Sequence, residues 1–322
     1  MLISIIIRCL NEEQHIGKLL SGILAQTHKD VEIIIVDSGS SDATLDIARQ
    51  FPTKIISIKP KDFSFGYALN KGCEQATGDI LLFASAHIFP VYTTWLEEIL
   101  IPFENHKTAL VYGRQIGHDT ITKYSEHRLF AKWFPVYSEF NQSHPFCNNA
   151  NCAIRKELWL QQDYDESLTG LEDLDWATKI MKKGWRIAYN AQAIIVHVHE
   201  ETPKRVLNRY RREAIALKRI MPNEKFTIFN FVRLTLGNIF SDYYHANKEK
   251  VFLKNIWDIP IFRIMQFWGT YKGYQQVGSI SSRLRNRFYY PNQLKIEVTK
   301  TITEKHRIKY SNITNRYESY HE

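Results

Sequence analysis

Two groups of acidic residues stand where a folded chain could use them for chemistry. The first is Asp37, which follows the apolar run 31–36 and precedes a Gly/Ser turn. Ligands of open α/β sheets bind at the carboxyl ends of the strands, so this carboxylate could accept hydrogen bonds from a base or a ribose. Ser41 or Asp42 could cap a helix that begins near Ala43. The segment is predicted to be a nucleotide subsite, although a strand, a turn and a capped helix without a ligand have the same pattern.

The second group is Glu172, Asp173 and Asp175, in the predicted first turn of a helix that ends near Gly184. Acidic side chains in a first turn are favoured by the helix dipole, so capping and solvation are one explanation. A carboxylate held beside a sugar hydroxyl could instead take its proton while that oxygen attacks an anomeric carbon. The residues alone leave both interpretations open.

The elements that must position these carboxylates alternate along the chain. Short apolar runs predict strands, and apolar residues at helical spacing follow most of them. The predicted strands are 3–7, 31–36, 54–58, 80–84, 109–112 and 193–198, and the predicted helices between the first five are 16–24, 43–50, a helix ending at Thr77-Gly78, and 93–103. Alternation of this kind predicts an α/β fold with a mostly parallel sheet flanked by helices. The aromatic stretch 130–146 has little periodicity and is predicted to be a functional loop or lid.

Charge divides the chain into two parts. Residues 1–202 carry 19 basic and 25 acidic side chains, whereas residues 203–322 carry 23 basic and 9 acidic ones. Within the basic part, 204–219 predicts an amphipathic helix whose cations face outward, and 226–240 and 252–268 add aromatic, apolar helical patterns that are too short or too polar to span a bilayer. Such helices can lie on an anionic membrane surface, or they can form a small helical subdomain whose basic face is simply solvated. No recognised nucleic-acid-binding module is present, so a nucleic-acid partner is not expected.

Cysteines and apolar segments indicate the compartment. The four cysteines show no metal-binding spacing, the first residues are predicted to be a strand and not a signal peptide, and no apolar run is long enough to span a bilayer. We therefore expect a cytoplasmic protein, with a peripheral position on the inner face of the plasma membrane as an open alternative.

In motif order, the chain resembles the family 2 glycosyltransferases, which have the GT-A (Rossmann-like) fold and include enzymes of bacterial surface-polysaccharide synthesis. The resemblance covers about residues 1–200. It is carried by Leu10-Asn11-Glu12-Glu13, Val36-Asp37-Ser38-Gly39-Ser40-Ser41-Asp42, Gly66-Tyr67-Ala68-Leu69-Asn70, Ala76-Thr77-Gly78-Asp79 and Glu172-Asp173. Each motif is weak alone, and the order of all of them is specific.

The resemblance implies roles for individual residues. Asp37 is similar to the carboxylate that contacts the donor base, and the donor nucleotide is expected along Arg8, Leu10, Glu12, Ser85 and His87. Asp173 resembles the catalytic base of an inverting transfer, and Glu172 would orient it or contact the acceptor. Asn148 and Asn149 are expected to line the sugar pocket.

The chain departs from the family at Ser85-Ala86-His87, where members usually have Asp-x-Asp, whose second carboxylate helps to hold a divalent metal. Three interpretations follow. His87 binds Mn or a similar ion, with His197 or His199 as a second ligand, because alternation places those two on one face of their strand. Alternatively, His87 and Arg8 contact the donor phosphate without a metal, or His87 only packs. The absence of two carboxylates disfavours magnesium.

The resemblance thus implies an inverting glycosyltransferase. It would move a sugar from a nucleotide-sugar donor to a growing cell-surface glycan, with a lipid-linked glycan as the expected acceptor. The alternative is a non-catalytic GT-A-like protein that binds a nucleotide sugar or a partner. Predicted domain boundaries are 1–202 for the catalytic domain, 203–285 for a basic amphipathic helical region and 286–322 for a polar tail.

Overall fold

A single mixed sheet of eight strands organises the computed structural model, which describes residues 1–278 together with Leu284, Phe288 and Tyr289. The strands are β1 (Ile3–Cys9), β2 (Val31–Asp37), β3 (Thr53–Ser57), β4 (Ile80–Ser85), β5 (Ile88–Pro90), β6 (Thr108–Gly117), β7 (Asn151–Arg155) and β8 (Arg186–His197). Their order across the sheet is β3-β2-β1-β4-β7-β6-β8-β5. The pairs β1–β2, β1–β4, β2–β3 and β6–β8 are parallel, and the pairs that involve β5 or β7 are antiparallel.

Helices cover both faces of this sheet and extend beyond it. They are α1 (Ile16–Leu24), α2 (Thr44–Ala48), α3 (Phe65–Glu74), α4 (Trp95–Leu100), α5 (Tyr124–Trp133), α6 (Lys156–Gln161), α7 (Glu172–Lys182), α8 (Pro203–Ile220), α9 (Ile228–Lys248), α10 (Phe252–Asn255) and α11 (Asp258–Tyr274). Each strand and helix predicted from periodicity is present, and most ends differ by a few residues. The exceptions are β6, which continues five residues past its predicted end, and β8, which begins seven residues before its predicted start. The stretch 130–146 is irregular only after α5 ends at Trp133.

The core has two halves, one on each face of the sheet, because successive side chains of a strand point to opposite faces. On β1, Ile3, Ile5 and Ile7 pack with the residues of α1 and α4, and Ile6 packs on the opposite face. All four isoleucines are fully buried. The sheet is therefore held from both sides, and its strand ends form a fixed edge.

One glycine has a different role from the predicted one. The predicted helix ends at Thr77-Gly78, with Gly78 as its C-cap glycine, but α3 ends at Glu74 and is followed by Gln75 in a right-handed conformation. A Cβ on Gly78 would lie 2.6 Å from the Leu2 carbonyl oxygen and 2.8 Å from Ser4 Oγ. Glycine is required here because the chain passes against the start of β1.

The C-terminal helices form an appendage built on α8 and α11. These two helices touch through glycines of α11: a Cβ on Gly269 would lie 2.4 Å from the Leu207 carbonyl oxygen, and one on Gly273 would lie 2.6 Å from that of Arg211. None of the described helices combines the length and the apolar character that a membrane span needs.

The predicted tail, 286–322, lies mostly outside the described residues. Two of its residues, Phe288 and Tyr289, are buried, and the Tyr289 ring packs edge-on against Phe63 and Phe65 at centroid distances of 5.1 and 5.5 Å. The core thus extends past residue 286.

Candidate active site

The carboxyl ends of β1, β2 and β4 meet at one edge, because the three strands are parallel neighbours. Pairing places Cys9 beside Asp37 and Arg8 beside Ser85. Leu10 and Ser85 are half-buried at this edge. The structure therefore brings together the predicted donor-binding residues at the ends of β1, β2 and β4.

Asp37 is almost fully buried, and its carboxylate is turned onto its own loop. It accepts hydrogen bonds from the backbone N–H groups of Gly39 at 3.0 Å and Ser40 at 3.2 Å. A carboxylate has about four acceptor positions, so capacity remains for a ligand. In the same loop, Asp42 Oδ1 accepts the Thr44 N–H at 3.0 Å, so it satisfies one N–H at the start of α2. The N-cap position itself is occupied by Ala43 and not by the predicted Ser41 or Asp42.

The loops that follow β1 and β2 are joined by hydrogen bonds. Asn11 has a φ of 56°, a left-handed conformation that Asn tolerates better than most residues. Its N–H donates to Ser40 Oγ at 2.9 Å, and its Oδ1 accepts the Ser41 N–H at 2.7 Å. The Glu12 N–H donates to Thr44 Oγ1 at 2.7 Å. Both loops of the predicted nucleotide subsite are thereby fixed relative to each other.

Asp173 lies at the start of α7, where it is buried and oriented by the backbone. Its Oδ2 accepts the Asn149 N–H at 2.9 Å, and its Oδ1 accepts the Leu174 N–H at 2.8 Å. The preceding Leu171 has a φ of 57°, which a leucine rarely adopts and which sets the entry into the helix. Burial, and then the neighbouring Glu172 charge, raise the pKa of Asp173 to about 7. A carboxyl with that pKa can exchange a proton near neutral pH.

The Glu172 side chain lies against Arg8. The side-chain contact described for it is therefore not one that orients Asp173. The distance between Arg8 Nη1 and Glu172 Oε1 is 3.8 Å. The Arg8 guanidinium also lies 4.5 Å from the centre of the Phe65 ring, and the Arg212 guanidinium of α8 lies 4.4 Å from the same centre. Arg8 Nη1 and Arg212 Nε are buried and lack a hydrogen-bond partner within the described part of the chain. Two cations with unused N–H groups therefore flank the acidic pair.

The two predicted sugar-pocket asparagines behave differently. Asn148 is engaged by protein, since its Oδ1 accepts the Ala150 N–H and a Gln115 Nε2–H, both at 3.0 Å. Both polar atoms of the Asn149 side chain are buried, and neither has a partner among residues 1–278. Because buried amides are almost always hydrogen-bonded, Asn149 offers a donor and an acceptor to a ligand next to Asp173.

Three histidines converge just beyond the end of β4. His87 follows β4, His197 ends β8, and His199 follows it. The Nε2 atoms of His197 and His199 are 3.0 Å apart, the His87 and His197 rings stack with centroids 5.0 Å apart, and one nitrogen of each ring lies within 4.8 Å of the others. His87 and both candidates for the second ligand, His197 and His199, thus form one group.

Hydrogen bonds fix which ring nitrogens carry protons. Since Asn148 Oδ1 accepts a backbone N–H, Gln115 must donate to it through Nε2 and accept through Oε1. His197 Nδ1, 2.8 Å from Gln115 Oε1, is therefore a donor. Burial, and then His199 and His87, hold the pKa of His197 well below its usual value, so its ring is neutral and Nε2 has a free lone pair.

The other two histidines also face acceptors with Nδ1. His199 Nδ1 is 2.6 Å from Glu126 Oε1, and His87 Nδ1 is 2.8 Å from Glu12 Oε1. The Nε2 atom of each ring is thus left for a ligand. Metal-binding histidines are held in this way by acceptors on the second nitrogen, and a separation of 3.0 Å fits two ligands of one ion with bonds of about 2.0–2.1 Å. The residues fit a transition metal and not the all-oxygen set that magnesium prefers.

Without a metal, the same two nitrogens need a proton between them. Two lone pairs that face each other at 3.0 Å repel, whereas a single N–H between the two Nε2 atoms forms a hydrogen bond. Metal and proton therefore compete for one position.

The side chains behind this group were not predicted. Glu126 of α5 is almost fully buried. Burial raises its pKa, but Arg209 and then His199 outweigh that effect and hold the pKa of Glu126 well below its usual value. Arg209 of α8 lies 2.6 Å from Glu126 Oε1 and 2.7 Å from Glu201 Oε2. No local pattern marks Glu126, Gln115 or Arg209, because the contacts Glu126–His199, Gln115–His197 and Arg209–Glu126 join residues 73, 82 and 83 positions apart.

The prediction for helix 204–219 is wrong in one respect. The helix exists as α8, but its arginines do not form an outward, solvated face. Arg209 pairs with Glu126 and Arg212 stacks on Phe65, so these two arginines of α8 face the site. Amphipathic spacing identified the helix correctly and could not reveal that its basic side faces an acidic site.

The chain is similar in sequence to known proteins. The model of the family described as "Glycosyl transferase family 2" matches residues 4–168, about half of the chain. The O-antigen chain rhamnosyltransferase WbaN of Salmonella anatum is 29% identical over 195 residues, which cover 58% of this chain and 62% of that protein. The O-antigen chain rhamnosyltransferase RfbN of Salmonella typhimurium is 25% identical over 221 residues, or 65% of this chain and 70% of that protein.

Among solved structures, the mannosyltransferase PcManGT from Pyrobaculum calidifontis, in complex with GDP-Man and Mn²⁺, superposes with a TM-score of 0.56. The superposition covers 90% of this chain and 88% of the other at 16% identity, a likeness that concerns the fold. It confirms the predicted GT-A class. With the family model matching from Ser4 to Leu168, across the strand ends that carry Arg8, Asp37 and His87, the chain belongs to glycosyl transferase family 2.

Proposed function

We propose that the protein is an inverting glycosyltransferase with Asp173 as its base. The observation that carries the proposal is the state of this carboxyl, which is buried, held by two backbone N–H groups and has a pKa of about 7. A base with that pKa is half ionised at neutral pH and can accept a proton during the reaction. Asn149, adjacent in space, has an unused amide for a sugar hydroxyl.

In the proposed reaction, an acceptor hydroxyl loses its proton to Asp173 as its oxygen attacks the anomeric carbon of the donor. The new C–O bond forms on the face opposite the leaving group, and the bond from that carbon to the phosphate oxygen breaks. Its electron pair leaves with the nucleotide. Arg8 and Arg212, with N–H groups that have no partner in the described part of the chain, would stabilise negative charge on this side of the site.

The donor is proposed to be a nucleotide sugar that binds along the ends of β1, β2 and β4. Arg8, Leu10, Glu12, Asp37, Ser85 and His87 would line this subsite. The rhamnosyltransferase relatives support a sugar donor used in surface-polysaccharide synthesis, and a growing, lipid-linked glycan is the proposed acceptor. Such an acceptor would bring the protein to the cytoplasmic face of the plasma membrane.

A divalent transition metal is proposed at His87, His197 and His199. The fit rests on the acceptors that hold Nδ1 of each ring, Glu12, Gln115 and Glu126. An ion bound there would supply positive charge for the phosphate groups of a donor. The complex of PcManGT with Mn²⁺ supports manganese as the first ion to test.

Thermal unfolding with UDP, dTDP, GDP and CMP, each with Mn²⁺ or with EDTA, tests the donor site. A nucleotide at about 100 times its dissociation constant adds roughly 2.7 kcal/mol of stability. We expect one nucleotide to stabilise the protein strongly and to need Mn²⁺. Stabilisation that is the same in EDTA would refute the metal site, and no response to any nucleotide would favour a non-catalytic protein.

A further inference from the structure

Helix α9 differs from an ordinary surface helix, which buries its apolar side and exposes its polar side. A row of apolar side chains of α9 is exposed instead. The buried residues of the helix are Thr235, Asp242 and Ala246. Five of its apolar residues nevertheless face outward: Phe229, Val232, Leu236, Phe240 and Tyr244 are exposed by 46% in Val232 up to 69% in Phe229. Phe231 and Tyr243 are half-buried and pack on Trp268 and Phe252. The spacing of the five outward-facing residues places them on one side of the helix, over about 22 Å.

The inward side is held by a polar network, so the orientation of α9 is fixed. Asp242 accepts hydrogen bonds from Arg263 Nε at 2.7 Å and from Ser125 Oγ at 2.7 Å. Ser125 belongs to α5, and its carbonyl oxygen accepts a third bond, from Arg263 Nη2 at 3.3 Å. All three residues are buried. Rotation of α9 to hide its apolar side would carry Asp242 away from Arg263. The buried Arg263 charge would then have no carboxylate partner, at a high cost.

The exposed apolar surface continues onto the next two helices. Leu253 of α10, Trp257 beside α11, and Ile261 and Ile264 of α11 are exposed by between 40% and 82%. α9 and α11 are adjacent, since the Phe231 and Trp268 rings meet at 5.3 Å and Tyr243 Oη donates to the Ile256 carbonyl oxygen at 2.7 Å. We call the five residues of α9 and these four the apolar face. Contiguous exposed patches of this kind mark binding surfaces.

The exposed charges around the apolar face are mainly positive. Five exposed cations lie within 225–254: Lys225, Arg233, Lys248, Lys250 and Lys254. Of the acidic side chains of the span 224–264, Asp242 and Asp258 are paired with Arg263 and Lys123, whereas Glu224 is exposed and Glu249 accepts a hydrogen bond from the neutral Tyr124 hydroxyl. An apolar face with aromatic residues and a cationic border is complementary to a bilayer surface that contains anionic lipid.

We propose that the apolar face is a membrane-docking surface, which inserts its side chains among the headgroups of an anionic bilayer. This surface is α9 with α10 and α11, and not the basic α8. The purpose of docking rests on the proposed function, because a lipid-linked acceptor is presented at a membrane. The docking itself does not depend on glycosyl transfer and can be measured separately.

Sedimentation of the full chain with lipid vesicles tests the proposal. We expect binding to vesicles that contain phosphatidylglycerol and much weaker binding to pure phosphatidylcholine. The variant Phe229→Ser/Phe240→Ser should lose about tenfold or more in vesicle affinity, whereas Leu24→Ser/Leu160→Ser, matched exposed residues on the sheet domain, should bind as the unaltered protein does. Replacement of Arg233 and Lys254 by Gln should weaken only the binding to anionic vesicles.

Turnover with a soluble acceptor analogue separates this proposal from the previous one. The Phe229→Ser/Phe240→Ser variant should keep its turnover with this analogue. Loss of docking with intact turnover then supports the docking surface without bearing on the proposed function. Failure of the unaltered protein to bind anionic vesicles would overturn the proposal. A dimer in sedimentation equilibrium that the same variant dissociates would overturn it too, since the apolar face would then join two copies of the chain.

A thiol label gives a readout that does not require loss of function. The four native cysteines are buried, so Phe240→Cys offers a selectively reactive thiol for an environment-sensitive dye. We expect a blue shift of its emission on anionic vesicles and none for a dye on Leu160→Cys. Equal spectra with and without vesicles, or a thiol at position 240 that resists the reagent, would contradict an open docking surface.

Discussion

Replacement of Asp173 by Asn should make the protein more stable and nearly inactive. The carboxyl has a pKa of about 7 in the folded chain, against 3.8 in an ordinary carboxyl, because the fold favours its protonated form. Stability from this group is therefore complete below about pH 4 and is lost as pH rises to about 7. A shift of this size corresponds to a few kcal/mol. Asn is never ionised, so it avoids that loss.

The variant keeps most of the local contacts. One backbone N–H, of Asn149 or Leu174, loses a carboxylate acceptor and faces an amide NH₂, which costs about 1 kcal/mol. The net gain at about pH 8 is a few kcal/mol, or several degrees in melting temperature for a chain of this size. At about pH 4 the gain should disappear, because unmodified Asp173 is then protonated as well.

Activity should move in the opposite direction. Loss of a general base lowers turnover by about 10²–10⁴-fold, and nucleotide binding should be unchanged. For the unaltered protein, log kcat should rise with pH up to about 7 and then level off. Asp175→Asn is the matched control, since Asp175 occupies the same turn but pairs with Lys179 at 2.6 Å. Turnover of the Asp173→Asn variant within a few-fold of the unaltered enzyme, or a melting temperature that falls at about pH 8, would refute the assignment.

The remaining predictions concern the histidines and the sheet. Glu126→Gln removes the ionised acceptor of His199 Nδ1 and should weaken Mn²⁺ binding about 10–100-fold in calorimetric titration; equal affinity would show that Glu126 does not support a metal. Because metal and proton compete between His197 and His199, Mn²⁺ should bind more tightly at about pH 8 than at about pH 6 and release protons into a weakly buffered solution, and a pH-independent affinity would argue against histidine ligands. Gly113→Ala should lower the free energy of unfolding in urea by roughly 1–3 kcal/mol or more, because the new Cβ would lie 2.3 Å from the Ala193 carbonyl oxygen; an unchanged midpoint would mean that β6 and β8 can separate locally.

Sequence alone predicted the parts of the site that depend on local order. Asp37 and Asp173 were identified because a strand end and a helix start are local patterns, and the structure brings Arg8, Asp37 and Glu172-Asp173 to one edge. The supporting residues could not be found in this way. Glu126 meets His199 and Arg209 only after α5, β8 and α8 have packed, and nothing in the spacing of α8 shows which side faces the protein. Gly78 was misassigned because helix-ending and close-approach glycines have the same sequence signal.

The Phe65 ring, which contacts both Arg8 and Arg212, has a consequence for synthesis of the chain. A ribosome that has released only residues 1–202 has already supplied Asp173, Glu172, Glu126 and the three histidines. Arg209 and Arg212, which neutralise Glu126 and cover Phe65, do not yet exist at that moment. The Glu126 carboxylate would thus wait without Arg209, although Glu172 already has Arg8, so a shortened chain that ends at the predicted boundary should be a poor substitute for the longer one. The active site is therefore completed only when α8, which carries Arg209 and Arg212, has been added to the chain.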